Sequence, residues 1–314
     1  MPLNEKFLGI EIGGTKLQLL VSDSYGKNEQ VLRFAINASS GADHIRQQIA
    51  DAYKQLPAQD AIAAIGVGFG GPVDWRRGIT RVSHQVSGWS NFPLSDWLQQ
   101  LTGKPVALEN DANTAALAEA VHGNGKGHKS VFYMTMGSGI GGGMVINGNI
   151  YHGREPGEVE VGHLRLNKEG DTLESKCSGW AVDAKVAAVV QQQPESLLAR
   201  LSANQSMAGA MLLLPALEQG DATAQKIMSE IADDLAFALS HVVHLFHPDV
   251  IILGGGLSLL KEHLRQPVSA QLNKYVMKAF LPFPPLQIAA LGEQVVPVGA
   301  VVLAKMLLNP INSL

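Results

Sequence analysis

Ile10-Glu11-Ile12-Gly13-Gly14-Thr15-Lys16-Leu17-Gln18-Leu19-Leu20-Val21 is the stretch that decides how this chain folds. Apolar residues flank its two glycines, and Leu17-Gln18-Leu19-Leu20-Val21 alternates and runs on into Ser22-Asp23, so Gly13-Gly14 joins two β-strands. Thr135-Met136-Gly137-Ser138-Gly139-Ile140-Gly141-Gly142-Gly143 reads the same way. It follows a strand from Ser130 to Thr135 and leads through Met144-Val145-Ile146 into the turn-forming Asn147-Gly148-Asn149. In a P-loop or a dinucleotide-binding fold the glycines open a helix, whose N-terminus holds the phosphate. Here both turns connect strands. Lacking a Cβ, glycine can take positive φ and bring backbone N–H groups close to a polyphosphate. Either turn alone is equally an ordinary tight hairpin. Two in one chain, with Asn110-Asp111 between them, favour a pair of phosphate-gripping hairpins.

Working outward, Gly41 to Gln55 has helical spacing with Ile45, Ile49, Ala52 and Tyr53 on its apolar side. Ala64-Ile65-Gly66-Val67-Gly68-Phe69 is a buried strand that ends in the turn Gly70-Gly71-Pro72-Val73-Asp74. Leu94 to Leu101 is a helix, Pro105 to Leu108 a strand, and Ala112 to Ala120 an alanine-rich helix. Glu109-Asn110-Asp111 thus sits at a strand-to-helix junction, where Asn110 or Asp111 can simply cap the helix. The second half predicts helices over Gly179 to Gln192, from Pro215 to near Gln219, and over Ala222 to Leu245, the last stopped by Pro248. Asp249 to Gly256 reads as a strand running into a third glycine turn that opens a helix at Leu257. Val298 to Leu307 is an apolar helix able to pack back on the first domain.

The chain has 314 residues and is 46% hydrophobic, enough for two domains with a core each. A formal net charge of -4 with no block of Lys or Arg argues against a nucleic-acid partner. No apolar run reaches membrane-spanning length. The single cysteine, Cys177, cannot form an intramolecular disulfide, and a cytoplasmic location is the expectation. The first strand follows the N-terminus so closely that neither a signal peptide nor an N-terminal DNA-binding module is expected.

Taken in order, Gly9 to Lys16, Gly71-Pro72-Val73-Asp74, Glu109-Asn110-Asp111-Ala112-Asn113, Gly137 to Gly143, Glu160-Val161-Gly162-His163 and Asp249 to Gly256 resemble the ROK family of sugar kinases over nearly the whole chain. The resemblance implies an α/β fold of the two-domain actin-like ATPase, ribonuclease H-like kind, with a cleft between the domains. The expected division is 1–112, joined by the C-terminal helix 298–314, and 113–297. ATP is then expected at Gly13, Gly14, Thr15 and Lys16, at Thr135, Gly137, Ser138 and Gly139, and at Gly254, Gly255 and Gly256. Sugar is expected at Asn110, Asp111, Glu160, His163, Glu174 and Gly71, and a homodimer is the expected assembly.

Residue chemistry runs parallel to that resemblance. Phosphoryl transfer to a sugar hydroxyl needs a carboxylate in reach of the hydroxyl, donors around the phosphates and a divalent metal such as Mg2+. Asp111 is the candidate general base, and Asn110 can bond a neighbouring hydroxyl. A lone histidine is more often structural, and the resemblance reverses that preference for His163 but not for His84, His122, His128, His152 or the histidines of 241–247. Glu11 stands where the family usually has Asp, in a role contacting the metal directly or through water. The family's cysteine cluster, which holds a structural zinc, has no counterpart in Leu164 to Glu174. Thr172 occupies the place of its last cysteine and Cys177 falls outside the ligand positions, so no zinc site is expected. Asn167 and Gly170 must then shape this segment by turn contacts. An ATP-dependent hexose kinase, with glucose foremost, is the leading reading; fructose, mannose or N-acylhexosamine kinases, a non-catalytic sugar sensor, and an ATPase acting on another polyol or a non-sugar substrate are the alternatives.

Overall fold

The computed structural model describes residues 5–23, 26–57, 59–83, 85–154, 157, 159–203 and 207–309. His84 and the end of the expected C-terminal helix, 310–314, therefore lie outside the described residues. The first part of the chain forms β1 (Lys6–Ile12), β2 (Lys16–Asp23), β3 (Asn28–Ala35), α1 (Gly41–Lys54), β4 (Ile62–Phe69), β5 (Val73–Asp74), β6 (Ile79–Thr80), α2 (Leu94–Thr102), β7 (Val106–Asn110) and α3 (Asp111–His122). Next come β8 (Ser130–Met136), β9 (Ile140–Ile146), β10 (Asn149–Ile150), α4 (Leu173–Cys177), α5 (Gly179–Gln192), α6 (Leu197–Ser202), α7 (Leu213–Glu218) and α8 (Ala222–Phe246). The chain closes with β11 (Val250–Gly254), α9 (Glu262–Tyr275), β12 (Leu286–Ile288) and α10 (Val295–Leu308).

Two compact units result, one of Met1–Lys129, Gly143–Val159 and Leu291–Leu314, the other of Ser130–Gly142 and Glu160–Ala290. The expected break between residues 112 and 113 would cut α3 in its first turn. Instead α3 stays whole in the first unit because α10 lies hard against it: a Cβ on Gly299 would sit 1.9 Å from Thr114 O. Gly66 makes the same close approach to α10 from β4, where a Cβ would lie 1.8 Å from Ala300 O.

The first unit holds a sheet in the order β3-β2-β1-β4-β7. β1 runs antiparallel to β2 and parallel to β4, and β4 runs parallel to β7. Alternation along β1 splits its side chains between two cores. Leu8, Ile10 and Ile12 pack with Ile45 and Ile49 of α1, whereas Phe7 packs with Val301 and Ala304 of α10. The other sheet has the order β10-β9-β8-β11-β12, with β8, β11 and β12 parallel. Here Asp221 caps α8 by accepting from Ala224 N–H at 2.7 Å, and α8 ends at His247, which takes a left-handed φ of 43° ahead of Pro248.

Three sequence expectations shift. The second glycine turn is only Gly137-Ser138-Gly139; Gly141 to Gly143 belong to β9, where a Cβ on Gly143 would lie 2.7 Å from Ala116 Cβ of α3. The third glycine turn opens a 3₁₀ segment, Gly256–Leu260, and the α-helix begins only at Glu262, after Lys261 at φ 50°. α7 starts at Leu213 rather than at Pro215.

Candidate active site

In the first unit the parallel register aligns Ile12 with Phe69 and Phe69 with Asn110, so three chain segments far apart in sequence end level with one another. Ligands of open α/β sheets gather at such carboxyl ends. Gly70 N–H donates to Ile12 O at 2.8 Å. A Cβ on Gly70 would lie 3.4 Å from Gly13 Cα and 3.5 Å from Asp111 Oδ2. Asn110 is the residue that caps α3, its Oδ1 accepting from Ala112 N–H at 2.9 Å and Asn113 N–H at 3.2 Å. Its Nδ2 donates to Gly71 O at 3.2 Å. Asp111 is the first helical residue, half-buried, with Oδ1 accepting from Ala112 N–H at 2.8 Å. Capping therefore accounts for Asn110 and does not require the Asp111 carboxylate.

Glu11 is buried at the end of β1. Its Oε1 lies 3.2 Å from Lys16 Nζ, and its Oε2 accepts from Gln18 Nε2 at 2.6 Å. Burial pushes its carboxyl above the ordinary value, opposed by Lys16 and by the Gln18 amide. Gly13 and Gly14 take no positive φ; their turn is closed by Gly13 N–H donating to Lys16 O at 3.0 Å. The expectation that left-handed glycines shape the hairpins fails here. What glycine supplies at Gly14 is space, which the Gln85 side chain fills.

Sequence reading passed over Glu109 and left His152 as structural. Glu109 is 2% exposed; Oε1 accepts from Asn110 N–H at 2.8 Å and from Asn113 Nδ2 at 3.1 Å. Its Oε2 lies 2.5 Å from His152 Nε2, and the imidazole stacks on Trp75 with centroids 4.2 Å apart. The pair braces the residue next to Asp111. Nothing local signals it, because the partners are 43 residues apart. Of the histidines near the end of α8, His244 Nε2 accepts from Met277 N–H at 3.1 Å, and His247 stacks on Phe280.

In the second unit Thr135 pairs with Gly254 across parallel β8 and β11, so the turns that follow them lie at the same sheet edge. Gly255, at φ 78°, comes so close to β8 that a Cβ would lie 2.5 Å from the Met136 backbone. Gly137 N–H donates to Gly139 O at 2.9 Å, leaving a short turn with half-buried Thr135 and Ser138 beside it. Glu160 and His163 are both exposed at the ends of a 3₁₀ turn, Val161–His163, joined by His163 N–H donating to Glu160 O at 3.1 Å. Glu174 lies in α4, its Oε2 accepting from Ile140 N–H at 2.7 Å.

The ROK family profile matches residues 7–306. The chain belongs to the ROK family. It is 32% identical over 285 residues to a glucokinase of Thermotoga maritima, covering 88% of this chain and 90% of that one. A glucokinase of Halalkalibacterium halodurans is 30% identical over 306 residues, with 93% of each chain covered. Among solved structures, a ROK family glucokinase from Streptomyces griseus in complex with glucose and AMPPNP superposes with a TM-score of 0.84 at 29% identity, covering 96% of this chain and 99% of that one. The fold of this ROK protein is thus the α/β actin-like ATPase fold.

This ROK chain shapes the segment without zinc cysteines through hydrogen bonds. Asn167 Oδ1 accepts from Gly170 N–H at 3.0 Å and Asp171 N–H at 3.1 Å, and Leu166 N–H donates to Asp171 O at 2.8 Å. Thr172 opens α4 with a reciprocal cap: its Oγ1 accepts from Ser175 N–H at 3.2 Å, and Thr172 N–H donates to Ser175 Oγ at 3.0 Å. Cys177 is buried, and burial next to Asp234 pushes its thiol up to about 12. Among the described residues no group of three or more His, Cys, Asp or Glu is arranged to hold a metal ion, and no helix is long and apolar enough to cross a membrane.

Proposed function

We propose that this ROK protein is an ATP-dependent hexose kinase that moves the γ-phosphoryl group of ATP to the primary hydroxyl of a hexose, with glucose foremost. The observation that carries this reading is the start of α3. Asn110 does the capping there, while Asp111 Oδ2 lies beside Gly70, the same glycine whose backbone packs against Gly13. Glucokinase relatives, and a glucokinase structure holding glucose and AMPPNP, support sugar and nucleotide as the two substrates.

In this mechanism Asp111 takes the proton from the attacking hydroxyl, which makes the oxygen a better nucleophile as the phosphoryl group departs from ADP. Asn110, Gly71, Glu160, His163 and Glu174 hold the sugar. Backbone N–H groups around Gly13, Gly14, Thr15 and Lys16, around Thr135, Gly137, Ser138 and Gly139, and around Gly254, Gly255 and Gly256 bind the nucleotide. Magnesium, when bound, offsets the charge that develops on the phosphoryl oxygens. Glu11 suits it: a hard carboxylate oxygen, already drawing the Lys16 ammonium to 3.2 Å, that would hold the ion through water. A homodimer in the cytoplasm completes the reading, and a buried single cysteine suits a reducing compartment.

A coupled ADP-release assay with ATP and magnesium tests this across glucose, fructose, mannose and N-acylhexosamines. Turnover strongest with glucose is the expected outcome. Preference for another hexose corrects the substrate, turnover with only a non-sugar acceptor moves the reaction to another substrate class, and sugar binding without ADP release in any arm makes the protein a sensor rather than a kinase.

A further inference from the structure

Glu174 has one carboxylate oxygen committed before any sugar arrives. Oε2 accepts from Ile140 N–H at 2.7 Å, and Ile140 is the first residue of β9 after the Gly137-Ser138-Gly139 turn. That distance is typical of a charge-assisted bond from a backbone amide to a carboxylate. Gly139 has no room for a side chain, because a Cβ there would lie 2.5 Å from the same Oε2. The start of the turn is held from the same side: Gly179 N–H donates to Gly137 O at 2.7 Å, and a Cβ on Gly179 would lie 2.6 Å from that oxygen. Gly162, between Glu160 and His163, packs against Ile140 O, which a Cβ would approach to 2.3 Å. The segment carrying the sugar-directed residues therefore grips both ends of the turn assigned to the nucleotide phosphates.

We infer that Glu174 is a positioning residue for the nucleotide, holding the Gly137–Gly139 turn in phosphate-binding shape through Ile140 N–H. This rests on the kinase reading, since it takes that turn as a nucleotide site. A carboxylate has two oxygens with separate lone pairs, so Oε2 can keep the turn while Oε1 meets a sugar hydroxyl. Sugar bound to Oε1 orients the carboxylate and with it the amide donor at the end of the turn. Nucleotide affinity then rises when sugar is bound, and by linkage sugar affinity rises equally when nucleotide is bound.

The test measures binding of a fluorescent ATP analogue with magnesium and no sugar, in the wild-type protein, Glu174→Gln and Glu174→Ala. The glutamine amide oxygen can still accept from Ile140 N–H, so Glu174→Gln should bind within about fivefold of wild type, whereas Glu174→Ala should bind roughly tenfold or more weakly. Amide hydrogen exchange at Ile140 should speed up in Glu174→Ala and much less in Glu174→Gln. A residue that only contacts sugar would leave sugar-free nucleotide affinity and Ile140 exchange unmoved, and that result overturns the inference. Should Glu174→Ala fail to fold, Glu174→Ser serves instead, because its short side chain keeps a polar group in α4 but cannot reach Ile140 N–H, and it should weaken the analogue to the same degree. Wild-type protein that binds no ATP analogue defeats the kinase reading and this one with it, whereas a wild type that binds and a Glu174→Ala that binds equally well defeats this one alone.

Discussion

Replacing Asp111 with Asn should remove most turnover while leaving the fold and sugar binding in place. The structure sets both sides of that expectation. The cap of α3 belongs to Asn110, whose Oδ1 takes Ala112 N–H and Asn113 N–H, and the variant leaves it untouched. The bond from Ala112 N–H to Asp111 Oδ1 can be kept by the oxygen of an asparagine amide. Stability should therefore fall by less than about 1 kcal/mol, the usual worth of one hydrogen bond. An amide cannot take the proton of a sugar hydroxyl. General-base assistance is worth about 10² to 10⁴ in rate, or about 3–5 kcal/mol of barrier at 1.36 kcal/mol per decade. The assay is ADP release at saturating sugar and ATP, with thermal melting and sugar titration on the same samples. Asn110→Ala is the control: it takes the side-chain cap from Asn113 N–H, leaves Ala112 N–H only Asp111 Oδ1, and should lower stability by about 1 kcal/mol. If Asp111→Asn turns over near the wild-type rate and merely melts earlier, the carboxylate is a helix-terminal residue and the catalytic assignment is wrong.

Gly299→Ala should destabilise the first unit by about 1–3 kcal/mol, because its Cβ would meet Thr114 O at 1.9 Å and force α10 away from α3; an unchanged melting temperature would refute that packing. Cys177, with its thiol raised to about 12, should resist a thiol reagent at pH 8 in the folded protein and react fully once guanidinium unfolds it. Rapid labelling of the native state would contradict its burial. Protein purified without chelator should contain far less than one zinc per chain and should melt at the same temperature with or without EDTA. Stoichiometric zinc whose removal lowers the melting temperature would overturn both the alignment of Thr172 and the sugar-binding role given to His163.

Where the sequence could be read, the cause lay within a few residues. The alternation around Gly13-Gly14 sets β1 and β2 as a hairpin because a strand repeats every two residues. Asn110 before an alanine-rich run marks the start of α3, and Asp221 and Pro248 bracket α8. Asn167 and Gly170 shape their segment through bonds spanning three and four residues. The ordered motifs, each local, also sufficed for the family.

Only the tertiary structure decided what distant segments do to one another. Gly141 to Gly143 read as turn residues, yet they extend β9, with Gly143 there to admit α3. The level ends of β1, β4 and β7, which bring Gly13, Gly70 and Asp111 together, depend on parallel register across long crossovers, and no short-range period encodes it. Glu109 meets His152, whose ring stacks on Trp75, because segments 43 residues apart return to one place. The resemblance assigns Glu174 to the sugar, and its bond to Ile140, which no motif announces, arises from how α4 packs against the start of β9. Local patterns determine which elements form, since hydrophobic period and capping act within a turn or two. Side-chain partners across elements are set by sheet register and by the space glycines leave without a Cβ, and both exist only once the chain has packed.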